Sequence, residues 1–101
     1  MNIQKMMQQA QKMQRDMMQK TEELEAKTYS AKKDGMVSVE VNGKLEITSI
    51  EIDQELLNAD YKEELESVVL LVVNEAIKKA NDDKEATLGK LTNGMNIPGL
   101  F

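Results

Sequence analysis

The chain of 101 residues has no cysteine, no histidine and no tryptophan, and only one proline, two tyrosines and one phenylalanine. Without Cys or His, zinc sites with sulfur or imidazole ligands, thiol nucleophiles and histidine general bases are all excluded. Carboxylates, lysines, hydroxyls and two tyrosines remain, and no convergent carboxylate cluster stands out, so neither a metal nor a cofactor is expected. Phosphate-cradle patterns fail as well: Gly89-Lys90 lacks the glycine that a P-loop sets upstream of its Gly-Lys pair, and no G-x-G-x-x-G occurs. An enzyme is therefore not expected. The longest apolar run, Val68 to Val73, covers six residues, against roughly 20 for a membrane-spanning helix. The opening Met1-Asn2-Ile3-Gln4-Lys5 has no apolar segment behind its first lysine. One small cytoplasmic domain over residues 1–101 is the expectation.

The net charge of −5 argues at first against an anionic partner. Its distribution changes that reading. Residues 1–20 carry Lys5, Lys12, Arg15 and Lys20 against Asp16 alone, a sum of +3, so the remaining 81 residues carry −8. Screening confines fields to about 8–10 Å at ordinary salt, and a local basic face can hold an anion that the whole molecule repels.

Residues 2–27 contain neither Gly nor Pro and are rich in Met, Gln, Lys, Glu and Ala, which predicts one long helix. Ile3, Met6, Ala10, Met13, Met17 and Leu24 step by three and four, with Met7 beside them. Lys5, Lys12, Arg15 and Lys20 project around roughly the opposite direction. Glutamines separate these basic residues, so no i,i+4 acid partner is expected to neutralise the strip. The methionines are read as packing residues.

Residues 28–52 alternate β-branched and polar side chains, and Asp34-Gly35 and Asn42-Gly43 divide them into three strands of an antiparallel meander. Val37 and Val39 take the dry face, Ser38 and Glu40 the wet one. Parity favours a three-residue loop of Val41, Asn42 and Gly43, pairing Val39 with Leu45 and Val37 with Ile47, with Gly43 in the left-handed position. Ile50 and Ile52 are then out of phase with Leu45 and Ile47, and a bulge near Ser49 is needed.

Asp53 to Leu57 reads as a capped single turn, and Asp60 with Glu63 as a capping box opening a helical region over 60–90. Tyr61, Leu65, Val68, Val69, Val72, Ala76 and Ala80 form its buried stripe. Val68, Val69, Leu70, Leu71, Val72 and Val73 cover every direction around a helix and must be buried all round. One sheet covers one side of them, and a second copy of the chain is the simplest supply of the rest, so a homodimer is expected. After Ala80, the polar Asn81-Asp82-Asp83-Lys84 predicts a break or fraying, then a short helix to Leu88 with Gly89 past its end. Residues 92–101 read as an irregular tail with four apolar side chains and no charge. The fold class is α+β.

Several short strings, taken in order, resemble the YbaB/EbfC family of bacterial nucleoid-associated proteins over essentially the full length. They are Gln9-Ala10-Gln11-Lys12-Met13-Gln14, Val41-Asn42-Gly43, Ile52-Asp53 with Leu56-Leu57, Asn74-Glu75-Ala76, and Pro98-Gly99-Leu100. The resemblance implies a homodimer whose helices project like tweezers and which binds DNA and alters its conformation in the nucleoid. One departure is Lys32-Lys33-Asp34-Gly35-Met36, where family members commonly have a glycine-rich approach to the second strand.

One Arg, no Trp and three aromatics equip the chain poorly for guanine readout or base stacking, whereas lysine suits phosphate contact. Duplex DNA bound with low sequence specificity is the expected partner, with Lys5, Lys12, Arg15 and Lys20 as primary contacts. Lys78, Lys79 and Lys84 are secondary candidates, sitting among Glu75, Asp82, Asp83 and Glu85. The rival is a dimeric adaptor that grips a protein through its methionines or its apolar tail.

Overall fold

The computed structural model describes residues 2–93, with side chains through Leu91. Helix α1 spans Ile3–Glu25, strands β1, β2 and β3 span Thr28–Lys33, Val37–Asn42 and Ile47–Ile52, and helix α2 spans Lys62–Asn93. Two single 3-10 turns, Gln54–Leu56 and Ala59–Tyr61, join β3 to α2. The strands form one antiparallel sheet in the order β1-β2-β3, as the meander requires.

Alternation in β2 produces the two faces of the sheet. Val37, Val39 and Val41 are buried, and their cross-strand partners Ala31 on β1 and Ile47, Ile50 and Ile52 on β3 share their face. Helix α2 packs across β1 and β2 with Val68, Val72, Ala76 and Ala80, one residue every four, in a single core with the valines. Ala31, Ala76 and Ala80 keep helix and sheet close. Each buried valine contributes about 1.5–2 kcal/mol of transfer free energy. Tyr61, expected in this stripe, lies in the second 3-10 turn and is exposed.

The β2–β3 hairpin has the expected class at a different place. Its three-residue loop is Gly43, Lys44 and Leu45: the Leu45 amide donates to the Asn42 carbonyl and the Asn42 amide to the Glu46 carbonyl, each at 3.0 Å. Leu45, not Gly43, takes the left-handed conformation, at φ 64°. Val39 consequently pairs with Ile50 and Val37 with Ile52, and Thr48 is the extra residue of a bulge beside Ser49. Asn42 organises the turn, its Oδ1 accepting from the amides of Lys44 (2.9 Å) and Glu46 (3.1 Å). Gly43 has a separate reason to be glycine. A Cβ there would lie 1.8 Å from the Leu24 carbonyl oxygen, so the end of α1 rests directly on the hairpin backbone.

Two expectations about α2 fail. Asn58 rather than Asp60 caps its entry, Oδ1 accepting from the Asp60 amide at 2.9 Å, because the Ala59–Tyr61 turn runs directly into α2 and places Asp60 inside the helical run. Nor does α2 break after Ala80: it continues through Asn81 to Lys84 and past Gly89 to Asn93. Asp83 explains the continuity. Its carboxylate accepts from Lys27 Nζ (2.9 Å), Tyr29 OH (2.7 Å) and Thr87 Oγ1 (3.2 Å), which ties the polar run to the joint between α1 and β1. The tail expected from residue 92 is helical through Asn93, and its remainder lies outside the described residues.

Candidate nucleic-acid interface

At 1.5 Å per residue, α2 rises about 31 Å from Lys62 to Asp83 and α1 about 36 Å from Ile3 to the Lys27 joint. The molecule measures 71 × 23 × 16 Å, so the two lengths lie end to end about the joint. Its radius of gyration, 19.9 Å, well exceeds the roughly 13 Å of a compact chain this size. Beyond the joint α2 runs antiparallel to α1, packing against it, for about 15 Å. The first half of α1 therefore projects clear of the sheet, and residues 2–12 are all exposed.

This projection corrects the packing expected of the methionines. Ile3, Met6, Met7 and Met18 are exposed in the single chain, while Met13 and Met17 are half-buried. The helix outruns the elements that could cover its stripe.

The projecting half carries Lys5, Lys12 and Arg15. None of the three makes an ion pair among the described residues. Asn2 caps the helix, its Oδ1 accepting from the Lys5 amide at 3.4 Å, and no acid occupies the first turn. The positive end of the helix dipole thus adds to the lysine field uncancelled. Lys20 differs, since its Nζ lies 3.2 Å from Glu23 Oε2 in an exposed i,i+3 pair. Asp16 stands four positions from both Lys12 and Lys20, yet Glu23 is the acid that pairs on this helix among the described residues.

Lys78, Lys79 and Lys84 are not brought to that strip. They lie on α2 near the joint, with Lys84 roughly 20 Å along the axis from Lys12. Lys78 is held by Asp82 at 2.6 Å, whose hydrogen bond and charge raise the ammonium pKa. Lys79 Nζ donates to the Ser30 carbonyl at 2.7 Å and clasps α2 to β1. At the joint, burial and the Asp83 hydrogen bond push the Tyr29 phenol up to about 12. The Tyr29 and Lys27 hydrogen bonds hold the Asp83 carboxyl below its usual value.

A second surface is apolar. Within Val68–Val73, Val68 and Val72 are buried against the sheet and Val69 and Val73 are half-buried. Leu70 is 64% and Leu71 47% exposed. Because α2 covers β1 and β2, the β3 side chains Ile47, Ile50 and Ile52 are also open. Ile52, Leu65, Val69, Leu70 and Val73 line one groove along this margin. The β3 isoleucines went unread as a surface in the sequence. The signal was available: three strands and one covering helix leave an edge strand with an apolar face and nothing to bury it.

Among the described residues, no helix is long and apolar enough to cross a membrane. The YbaB/EbfC DNA-binding family matches residues 1–95. A nucleoid-associated protein of Pelotomaculum thermopropionicum is 48% identical over 99% of this chain and 96% of its own length. One from Clostridium kluyveri is 44% identical over 99% of this chain and 89% of its own. Among solved structures, an uncharacterized protein of Helicobacter pylori superimposes with a TM-score of 0.77 at 22% identity, over 91% of this chain and 98% of that one. The last likeness concerns the fold alone.

Proposed function

Because the chain belongs to the YbaB/EbfC DNA-binding family, we propose that it binds double-stranded DNA as a homodimer with low sequence specificity. Altering DNA conformation in the bacterial nucleoid, within the cytoplasm, it contributes to nucleoid organisation and gene regulation. The observation that carries this reading is the strip of Lys5, Lys12 and Arg15, unpaired among the described residues, on a helix standing clear of its own fold. Lys20 is the fourth contact, its exposed pair with Glu23 exchanging readily for a phosphate. From Lys5 to Lys20 the strip spans about 22 Å, two-thirds of a DNA turn of roughly 34 Å. Lysines on an exposed helix contact phosphates and read no bases, hence the low specificity.

The acidic balance does not oppose this arrangement. On α1 itself the acids are Asp16 and, toward the joint, Glu22, Glu23 and Glu25, whereas Asp60, just before α2, and Glu63, Glu64 and Glu66 at its start lie at the other end of the 71 Å axis, many screening lengths of about 8 Å from the strip. Dimerisation is supported by the exposed Leu70 and the open β3 isoleucines. A second copy seated there would bury both and give the complex two basic helices.

The test is anisotropy of labelled duplex DNA across a salt series. Three to four phosphates neutralised per subunit give a dimer a slope of log Kobs against log salt of about −5 to −7. The Lys5→Ala, Lys12→Ala, Arg15→Ala variant is expected to bind weakly with a slope near −2 or shallower. Unchanged affinity and slope in that variant would refute the assignment of the strip. Absence of binding by the intact wild-type dimer at low salt would refute DNA as the partner.

A further inference from the structure

The methionine stripe of α1 faces away from the basic strip: Ala10, Met13, Gln14 and Met17 line one half of an open groove whose other half reaches Glu22 and Glu25, and toward the tip the stripe continues through the exposed Met7, Met6 and Ile3. We propose that the stripe from Met17 back to Ile3 is the groove that docks the chain's own terminal segment, residues 95–101, in cis and antiparallel to the direction in which α1 runs.

Position supports this occupant first. Ten residues past the Asp83 joint, α2 has climbed about 15 Å beside α1, which brings Asn93 level with about Met17. The following segment thus starts at the groove. Reach comes second. Eight residues at about 3.3 Å each cover roughly 26 Å, and the stripe from Met17 back to Ile3 occupies about 21 Å of helix. Chemistry comes third. The segment Gly94-Met95-Asn96-Ile97-Pro98-Gly99-Leu100-Phe101 bears no charged side chain and offers four apolar ones. Flexible methionines accommodate such a segment without demanding one exact shape. Seated there, it leaves Lys5, Lys12 and Arg15 open on the other side of α1 and removes an exposed apolar stripe from a projecting helix.

The absence of tryptophan makes the test direct. In the full-length protein, Phe101→Trp introduces one indole at the end of the segment. Blue-shifted emission with poor acrylamide quenching is expected, and both are to revert to those of a free peptide when Met6→Gln and Ala10→Gln are added. Met6 and Ala10 are exposed, and glutamine is a good helix former, so the fold is to persist, as circular dichroism checks. Emission that is solvent-like from the start, or buried but indifferent to the groove substitutions, overturns the proposal. Excess protein with an intact groove is then mixed with the combined variant. Recovery of the blue shift would place the segment on a second copy and overturn docking in cis.

Discussion

Gly43 shows how one residue carries a long-range constraint. In a hairpin loop, glycine is ordinarily read as the left-handed residue, yet here Leu45 takes that conformation. Gly43 is the point where α1 and the hairpin touch backbone to backbone, and the atoms a Cβ would strike are main-chain atoms of Leu24 and Glu25, which no rotamer change can move. Gly43→Ala is therefore expected to cost about 3 kcal/mol or more, read as a lower urea midpoint at fixed protein concentration. Leu45→Gly relieves a left-handed leucine, and its midpoint is to stay within about 1 kcal/mol of wild type. Equal effects from the two would mean that loop conformation, not the contact with α1, governs this turn. The loop shift of two residues has the same origin: parity within β2 and β3 defines the faces, but the loop's position depends on Asn42 bonding and on a contact with Leu24 that local patterning cannot encode.

At the scale of elements, the strands and the start and end of α1 were legible because Gly- and Pro-free stretches and period-two alternation are local signals. The length of α2 was not. Asn81-Asp82-Asp83-Lys84 reads as a break until Lys27 and Tyr29 are placed beside Asp83. The pH dependence follows from this joint. Asp83 titrates below its usual value in the fold, so its contribution holds above that usual value and is lost as pH falls through the depressed pKa. Tyr29 is raised from 10 to about 12, so its contribution is complete below pH 10 and is lost as pH rises through about 12. Asp83→Asn removes the charge while keeping the shape. In a Tyr61→Phe background, ultraviolet titration is expected to show the Tyr29 midpoint falling toward 10 without reaching it, since burial is the larger cause. Amide exchange in the last three turns of α2 is to accelerate in the same variant. An unmoved Tyr29 midpoint would show that Asp83 does not pin the helix.

The whole molecule poses a question of valence. One chain, 71 Å long and 23 Å wide, presents a single basic helix with three unpaired cations, too few for tight duplex binding at physiological salt. Its open β3 and α2 margin lies toward the opposite end from the strip, so a second copy seated there leaves both α1 tips free. Two strips on one rigid body bind with the second contact made intramolecular, which raises affinity on the order of 10²-fold or more without any new residue at the DNA. Ile50→Asp with Leu70→Asp separates the two contributions. Both side chains are about half exposed or more in the single chain, at 47% and 64%, so the fold tolerates the change while a dry interface does not. Sedimentation is expected to give the 11.4 kDa mass of one chain. Affinity for duplex DNA should drop on the order of 10²-fold, with the salt slope roughly halved. A monomeric variant that kept wild-type affinity would show that one α1 strip suffices and that pairing serves something other than valence. A variant that stayed dimeric would place the interface elsewhere, leaving the exposed leucines and β3 isoleucines to a different partner.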